Sequence, residues 1–187
     1  MNPTRSTAAG HLAGPLALAF VLILLALSSA TAEGKAAEPS ATAARDGFSV
    51  LALITADPTW REKWNTSPES VPTFATASEL AAGDEATLLL FFSGAVEQNG
   101  KANLLCDVTI RDIGKAPESY PPHPCFEGPL GGSADYIYLT TLEITLVVGP
   151  TDPPGIVVFE LGVTDVNRGL RLAVAVSVEV DPDGNSK

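Results

Sequence analysis

Apolar residues recur along the chain in short runs that turn-forming residues separate. In the clearest run, 170–180, Leu and Val occupy every second position and smaller or polar residues lie between them. A period of two is typical of a β-strand with one buried face. Six further runs lie at 48–55, 86–92, 104–111, 135–140, 142–148 and 156–163. The pattern therefore predicts about seven strands.

Prolines give an independent check on the strand boundaries. Every proline after residue 32 lies between the predicted strands, as expected because proline lacks the N–H that a strand ladder requires. Short strands, frequent turns and little helix favour an immunoglobulin-like arrangement. We therefore predict a single all-β domain over residues 47–180, an antiparallel β-sandwich.

One short helix is predicted to interrupt this pattern at residues 57–64. The Asp57 carboxylate can accept from the free N–H groups of a first helical turn, and Pro58 suits the first helical position. Trp60 and Trp64 are four residues apart and therefore share one face of the helix. We expect the helix to close the open end of the sandwich, with Trp60 buried and Trp64 exposed as an anchor for a partner.

The first 32 residues have the parts of a secretory signal peptide. Arg5 precedes an apolar stretch at 12–27, and Ala30-Thr31-Ala32 supplies the small residues that a cleavage site needs. The apolar stretch has 16 residues, whereas a membrane-spanning helix needs about 20. We expect cleavage after Ala32 and a periplasmic or secreted product with no stable membrane insertion. An uncleaved anchor is the alternative.

Two segments lack apolar periodicity and are predicted to be flexible. Residues 33–46 are rich in Ala, Glu and Ser, and residues 181–187 are mostly polar. Neither contains a run of side chains that could be buried. We therefore expect a mobile leader and a mobile tail around the domain.

Acidic residues outnumber basic ones, at 22 against 11, and the formal net charge is −11. Loss of Arg5 with the signal makes it −12. An acidic surface repels the phosphates of nucleic acids and of anionic lipids. The charge therefore argues against nucleic acid as a partner.

The two cysteines, Cys106 and Cys125, are predicted to form a disulfide, because an even number of cysteines in an exported domain usually pairs. Cys106 alternates with apolar residues and belongs on the core face. Cys125 lies in the Pro-rich segment 120–132, which we expect to be a loop held against a strand by the bridge. A redox pair typically has Cys-x-x-Cys spacing at a helix N-terminus, and this pair has neither feature.

Catalytic and metal chemistry has little support in the sequence. His123, between Pro122 and Pro124, is the only histidine after residue 32, so a triad or a zinc site has a single possible centre. The sequence does not show whether any carboxylates lie close together, and the candidates are Asp57, Glu69, Glu79, Glu127 and Asp165. We predict a protein that is not an enzyme and has no cofactor or metal.

Three segments carry a resemblance to a known type of protein: DPTWREKWNTSPESVPTF at 57–74, PCFEGPL at 124–130 and TDPPGIVVFELGVTD at 151–165. With them the chain resembles small exported bacterial proteins that have immunoglobulin-like β-sandwich domains. The resemblance implies the fold and the compartment. It implies no catalytic residues, and a fold alone does not define a function.

We therefore expect a non-enzymatic binding or structural module of the bacterial cell envelope, with a protein as partner. A strand edge, the Trp-bearing segment or the Pro-rich segment would meet that partner, and the candidate binding residues are Trp60, Trp64, His123 and Phe126. The alternative is a small-molecule or carbohydrate binder, or a carboxylate-based hydrolase. A pocket with two close carboxylates of perturbed pKa would favour the alternative, and a bare strand edge would favour a protein partner.

Overall fold

The computed structural model describes residues 37–66, 72–132 and 136–184. The expected signal peptide, residues 1–32, lies outside the described residues, as does most of 67–74, which includes Glu69. The described part of the chain contains one helix and nine strands: β1 Ser40–Arg45, β2 Phe48–Thr55, α1 Trp60–Thr66, β3 Glu79–Leu80, β4 Glu85–Ser93, β5 Ala102–Arg111, β6 Glu118–Gly128, β7 Tyr138–Val147, β8 Gly155–Asp165 and β9 Leu170–Val180. No helix within these ranges is long and apolar enough to cross a membrane.

The strands form two sheets, in the orders β1-β2-β4-β7 and β3-β9-β8-β5-β6. All pairs are antiparallel except the short pair of β3 with β9. The predicted all-β sandwich is confirmed. The runs β2-β4-β7 and β9-β8-β5 reproduce the A-B-E and G-F-C pairings of immunoglobulin domains. Strand β6 pairs with β5, whereas strand D of a constant-type domain, which also follows strand C, pairs with strand E.

The core lies between the two sheets and uses alternate residues of each strand. Phe48, Val50, Ala52 and Ile54 of β2 point inward, as do Leu88, Leu90 and Phe92 of β4. They meet inward residues of the other sheet, which include Leu104, Phe159, Leu161, Val176 and Val178. Strands β2 and β9 have the bounds that their apolar runs predicted.

Helix α1 lies on the outer face of the four-stranded sheet. Trp60 packs there with Leu53, Leu89 and Phe91, in a cluster separate from the core. The expectation that the helix closes an end of the sandwich is therefore wrong. The middle of this sheet is buried on both faces, which explains why residues 88–92 are apolar without alternation.

The start of α1 follows the predicted capping. One oxygen of the Asp57 carboxylate accepts the Thr59 N–H at 2.9 Å, and the other accepts from the Lys63 ammonium. The Lys63 bond is the main cause that lowers the pKa of Asp57 below its ordinary value of 3.8, and the bonds from Thr59 lower it further. The cap thus consists of a charged carboxylate held at the first turn.

The predictions that residues 33–46 and 181–187 are flexible both need correction. Residues 40–45 of the expected flexible leader form β1, which pairs along its whole length with β2. Its inward residues, Ala41 and Ala43, are small, so the strand lacks the bulky apolar pattern that identifies the others. In the expected flexible tail, Asp181 is buried and its N–H donates to Leu80 O at 2.9 Å. Residues 185–187 lie outside the described residues.

Two strand predictions also differ from the structure. The separate strands predicted at 135–140 and 142–148 are one strand, β7, with residue 135 outside the described ranges. Most of the Pro-rich segment expected to be a loop, residues 120–128, belongs to the edge strand β6, Glu118–Gly128. Proline is tolerated in β6 because an edge strand needs ladder bonds on one side only.

Candidate functional site

The two margins of the sandwich, where the edges of the sheets meet, differ in construction. At the margin between β1 and β9, which we call the closed seam, Ser177 N–H donates to Glu38 O at 2.7 Å. Glu38 N–H in turn donates to Ser177 Oγ at 2.8 Å. The chain that leads into β1 therefore bonds directly to the opposite sheet.

The margin between β6 and β7, which we call the open seam, is sealed over half its length. Phe126 lies between the two sheets, with its ring centre 4.8 Å from Phe92 and 5.9 Å from Tyr138. Thr141 Oγ1 donates to Cys125 O at 3.1 Å across the same half. Phe126, a candidate binding residue, is therefore half-buried as a plug between the sheets.

The other half of the open seam is a groove of about 580 Å³, which we call the seam groove. Its walls are mainly apolar and come from both edge strands and from the end of β5. They comprise Ile110, Tyr120, Pro121, Pro122 and His123 on one side and Leu142, Glu143, Ile144 and Thr145 on the other. The structure thus places the candidate His123 and the Pro-rich segment at a concave apolar surface.

The groove exists because the four-stranded sheet does not cover the first half of β6. Tyr120 pairs with Val108, and His123 pairs with Cys106. Paired residues on neighbouring strands share a face, and Val108 and Cys106 face the core. Tyr120 and His123 therefore lie on the core-facing side of β6, yet Tyr120 is 45% exposed and His123 is also exposed.

One end of the groove is acidic. The groove continues past Ile110 and Ile144 into a smaller hollow of about 280 Å³ that reaches Asp112, Lys115 and Asp152. The hydrogen bond to Asp112, together with the more distant charges of Asp152 and Glu118, holds the pKa of Lys115 above its ordinary value. Three carboxylates thus surround a single ammonium, and we call these four residues the acidic end.

The predicted disulfide between Cys106 and Cys125 is present, with both residues buried and their Cα atoms 5.6 Å apart. It joins the neighbouring strands β5 and β6 of one sheet, so it does not hold a loop as expected. The β5–β6 register shifts on both sides of this region, between Leu104 and Leu105 and between Cys106 and Val108. The bridge therefore fixes β6 where its ladder is irregular.

The two tryptophans do not form an exposed binding surface. Trp60 is buried, as predicted, with 6% of its surface exposed and the Arg61 guanidinium 4.4 Å above its ring. Trp64 is half-buried rather than exposed, and its ring centre lies 5.1 Å from that of Phe91. Arg61 also pairs with Glu143 of β7, so the helix is tied to the strand at the open seam.

The candidate carboxylates are distributed over the fold, and three of them have their own cation. Asp57 pairs with Lys63, Glu127 with Lys101 at 3.0 Å, and the fully buried Asp165 with Arg168 at 3.6 Å. Glu79 lies on the short strand β3. A general acid requires a raised carboxyl pKa, but the hydrogen bond from Arg111 lowers the pKa of Glu160, as Lys63 lowers that of Asp57.

Among the described residues, no group of three or more His, Cys, Asp or Glu side chains lies close enough to hold a metal ion. Asp57 and Glu127 are each paired with a lysine, and Asp165 accepts backbone N–H bonds from Val96 and Arg168. These carboxylates therefore act in the structure as caps and ion-pair partners.

Sequence reasoning identified His123 and Phe126 but missed the rest of the groove. Tyr120 was assigned to a loop, and Leu142 and Ile144 were predicted only to belong to a strand at 142–148. Apolar residues alternate in this strand as they do in covered strands such as β9, so no local signal marks it as the wall of a groove. The groove depends on the order of strands in each sheet.

Comparisons with known proteins do not assign the chain to a family or give it a function. No protein-family model and no curated protein sequence matches the chain. A family 123 glycoside hydrolase from Clostridium perfringens is similar in structure over 71% of this chain and 27% of its own length, at 12% identity and a TM-score of 0.41. A Niemann-Pick type C2 protein from Japanese carpenter ant is similar over 80% of this chain and 98% of its own length, at 11% identity and a TM-score of 0.36.

The DNA glycosylase AlkC from Pseudomonas fluorescens is similar over 55% of this chain, at 14% identity and a TM-score of 0.37. The matched part of this chain spans about a quarter of the length of AlkC and of the glycoside hydrolase. Likenesses at this level carry no functional argument, and the site must be interpreted from its own geometry.

Proposed function

We propose that the protein is a non-enzymatic binding module of the bacterial cell envelope, which binds an extended segment of a protein partner as an extra strand on β7. Two features support a location outside the cytoplasm. The first 32 residues have the pattern of a secretory signal. The disulfide belongs to oxidising compartments such as the periplasm.

The observation that carries the proposal is the juxtaposition of a strand edge and an apolar groove. Within the described residues β7 pairs on one side only, with β4. Strand addition takes affinity from main-chain hydrogen bonds to such an edge and specificity from pockets for alternate side chains. We call the added segment of the partner the guest strand. It would occupy the position that strand D has in a constant-type immunoglobulin domain.

The opposite wall cannot compete for the same strand. Pro121, Pro122 and Pro124 remove three N–H donors from β6. An edge interrupted in this way does not template another strand. A guest segment therefore pairs with β7 and uses β6 as a side wall.

The alternative function, a small-molecule or carbohydrate binder or a carboxylate hydrolase, receives less support. The seam groove has Glu143 as the only carboxylate among its lining residues, and that carboxylate is bound by Arg61. Sugars need many hydrogen-bonding groups, whereas these walls are mostly apolar. A small apolar molecule could fill the groove, but it would leave the backbone edge of β7 unused.

Peptide selection followed by NMR tests the proposal. Random peptides displayed on phage are selected against the mature protein, and a selected peptide is titrated into the isotope-labelled protein. We expect perturbed amide signals at residues 142–147 and at Tyr120 and His123, and slower hydrogen exchange in β7, because new main-chain bonds protect its amides. Perturbation elsewhere, or binding without slower exchange in β7, contradicts strand addition.

A pair of lysine substitutions gives a matched control. Ile144→Lys places a charge between the sheets, whereas Thr145→Lys adds the same charge to the next wall residue, which is exposed and lies on the outer face of β7. An inward-pointing charge blocks an edge, so Ile144→Lys should weaken a selected peptide by about tenfold or more. Equal affinities for the two variants would contradict the proposed site, provided that both have the wild-type circular dichroism spectrum.

Export has its own test. N-terminal sequencing of the protein recovered from the periplasm or medium should begin at Glu33, because Ala30 and Ala32 provide the cleavage site. Intact protein beginning at Met1 in the membrane fraction would contradict a cleaved signal.

A further inference from the structure

The alternation of side chains defines what a strand on β7 presents to the groove. Residues paired across neighbouring strands share a face, so guest residues beside Leu142 and Ile144 point between the sheets. There they meet Ile110, Tyr120 and the prolines of β6. A polar side chain without a partner is unfavourable at such a surface, so these positions favour apolar residues. The intervening guest residues lie on the outer face, beside Glu143 and Thr145.

The length of the site follows from the part of β7 that remains uncovered. Phe126 and Tyr138 seal the seam towards the beginning of β7, and the groove walls begin at Leu142. From Leu142 to the end of the strand at Val147, a guest of about six residues spans about 20 Å, at about 3.3 Å a residue. Three of those residues would face inward.

Charge defines one end of the guest. Asp112 and Asp152 line the hollow with Lys115 where the groove continues past Ile144, and the charge of Glu118 also acts on Lys115. Glu118 accepts the Tyr120 O–H at 2.6 Å, and Asp152 accepts the Gly149 N–H at 2.8 Å. These bonds hold two carboxylates in place without neutralising them, so a cationic side chain is complementary to this end.

Two other occupants fit less well. A second copy of the chain has a net charge of −11 and brings repulsion to an already acidic end. The described residues that precede β1 in the same chain lie at the closed seam, where Glu38 bonds to Ser177. That position is at the opposite margin of the sandwich from the groove.

From these observations we infer that the guest is a protein segment with apolar side chains at alternate positions and a lysine or arginine at the terminus that reaches the acidic end. The inference rests on the proposed function, since it assigns chemistry to a strand bound on β7. It names a class of ligand that the sequence alone did not indicate.

Synthetic peptides test the two halves of the inference separately. The probes are the capped peptides KTVTVTV and VTVTVTK, their counterparts with Glu in place of Lys, and KVVVTTT, which has the same composition as the first without alternation. Both orders are used because a strand can add in either direction. Affinities are measured by isothermal titration calorimetry with the mature protein at low salt.

We expect one of the two Lys peptides to bind about fivefold more tightly than its Glu counterpart, the size of a favourable exposed charge pair. We expect KVVVTTT to bind about tenfold more weakly than the better alternating peptide, because its valines cannot all face the groove. If the Lys and Glu peptides bind with equal affinity in both orders, the inferred basic residue at the end of the guest is wrong. Equal affinity of KVVVTTT overturns the alternating pattern.

Charge-neutral variants identify the groups responsible. Asp152→Asn together with Glu118→Gln should abolish the preference for Lys over Glu while the alternating pattern is still required. Glu160→Gln, which makes a similar change on the outer face of the other sheet, should leave the preference intact. Persistence of the preference in the double variant overturns the assignment of the acidic end.

Failure of the proposed function gives a different result. If Ile144→Lys leaves the binding of all five peptides unchanged, or if no peptide slows exchange in β7, then strand addition itself is wrong. If peptides protect β7 but show no preference for Lys, only the inference fails.

Discussion

The closed and open seams are the two margins of one sandwich, yet the chain treats them in opposite ways. At the closed seam, β1 and the residues before it bond to both sheets, through β2 and through Ser177. At the open seam, an aromatic plug seals one half and a groove occupies the other. Backbone pairing thus seals one margin, whereas the other has an aromatic plug over one half and leaves a strand edge beside a groove over the other half.

The open seam has its own reinforcement. Among the strands that the structure describes, β6 pairs with β5 alone, and the register of that pair is irregular. The Cys106–Cys125 bridge lies within that irregular region. A covalent bond thus replaces part of the ladder that the prolines of β6 remove.

The largest expected effect concerns β1. A mature protein that begins at Gly47 lacks the strand that pairs with β2 at the closed seam. We expect a loss of about 4 kcal/mol or more in the free energy of unfolding, since several net hydrogen bonds and the cover over the core edge disappear. Urea denaturation of the shortened and full mature forms measures this loss. If the two forms melt within a few degrees of each other, β1 does not stabilise the closed seam.

A pair of substitutions separates pairing from burial in β1. Ala43 packs against the core, whereas Ala44 is exposed. Ala43→Lys should destabilise the protein clearly, and Ala44→Lys should change the free energy of unfolding by less than about 0.5 kcal/mol. Equal effects would show that β1 does not seal the core.

The second prediction concerns the support of the open seam by α1. Trp60 is buried under the helix, so Trp60→Ala should cost about 3–5 kcal/mol, the range for a large truncation in a packed cluster. Trp64 is half-buried, and Trp64→Ala should cost less. Because Arg61 ties α1 to Glu143, hydrogen exchange in Trp60→Ala should accelerate more in β7 than in β1. Equal acceleration of exchange in β7 and in β1 would show that the helix does not support the open seam.

The third prediction concerns the disulfide. Cys106 and Cys125 are 19 residues apart, and the chain-entropy treatment gives about 3 kcal/mol for a loop of about this length. Replacing both with Ala should lower the free energy of unfolding by that amount and accelerate exchange in β6 more than in β8. Thiol titration of the denatured, unreduced wild type should find no free thiol. Two free thiols would show that the bridge does not form.

The fourth prediction is a small effect that defines the groove as a surface. Tyr120 and Tyr136 are 45% and 44% exposed. Tyr120→Ala should change the free energy of unfolding by less than about 0.5 kcal/mol, and Tyr136→Ala is the matched control. Only the Tyr120 variant should lose affinity for the peptides described above. A large loss of stability in Tyr120→Ala would assign this residue to the core.

The last prediction concerns pH and is the smallest. The lowered pKa of Asp57 means that its contribution to stability is present above the ordinary value of 3.8 and is lost as the pH falls towards the folded value. Urea midpoints measured at pH 6 and pH 3 should therefore fall more for the wild type than for Asp57→Asn. A parallel fall in both proteins would show that the Lys63–Asp57 pair contributes nothing to α1.

Local patterns account for most of the strands that the sequence predicted. Strand β9 has strong alternation of large apolar residues and β2 is a nearly continuous apolar run, and the bounds of both agree with the prediction. Strand β1 was missed because its inward residues are alanines, which do not stand out from its other residues. Strand β6 was missed because three prolines argue against a strand, although the rule is strict only for central strands.

The candidate site was less accessible to sequence reasoning. His123 and Phe126 attracted attention as residue types in a Pro-rich segment, but they have different roles, one in the groove wall and one in the plug. Which of them is covered depends on the strand order of both sheets. Strand order is a non-local property, determined by pairings between residues far apart in the chain, and alternation within one strand does not encode it.

The two strand edges at the open seam also determine how the protein should behave in concentrated solution. The prolines protect β6 against edge-to-edge association, but β7 has no proline along Tyr138–Val147, and Glu143 is its only charged residue. At neutral pH the net charge of −11 keeps copies apart. Near the isoelectric point, about 4.4, that repulsion disappears. Acidic storage should therefore promote oligomers joined through β7, and the same Ile144→Lys substitution that blocks a guest strand should keep the protein monomeric.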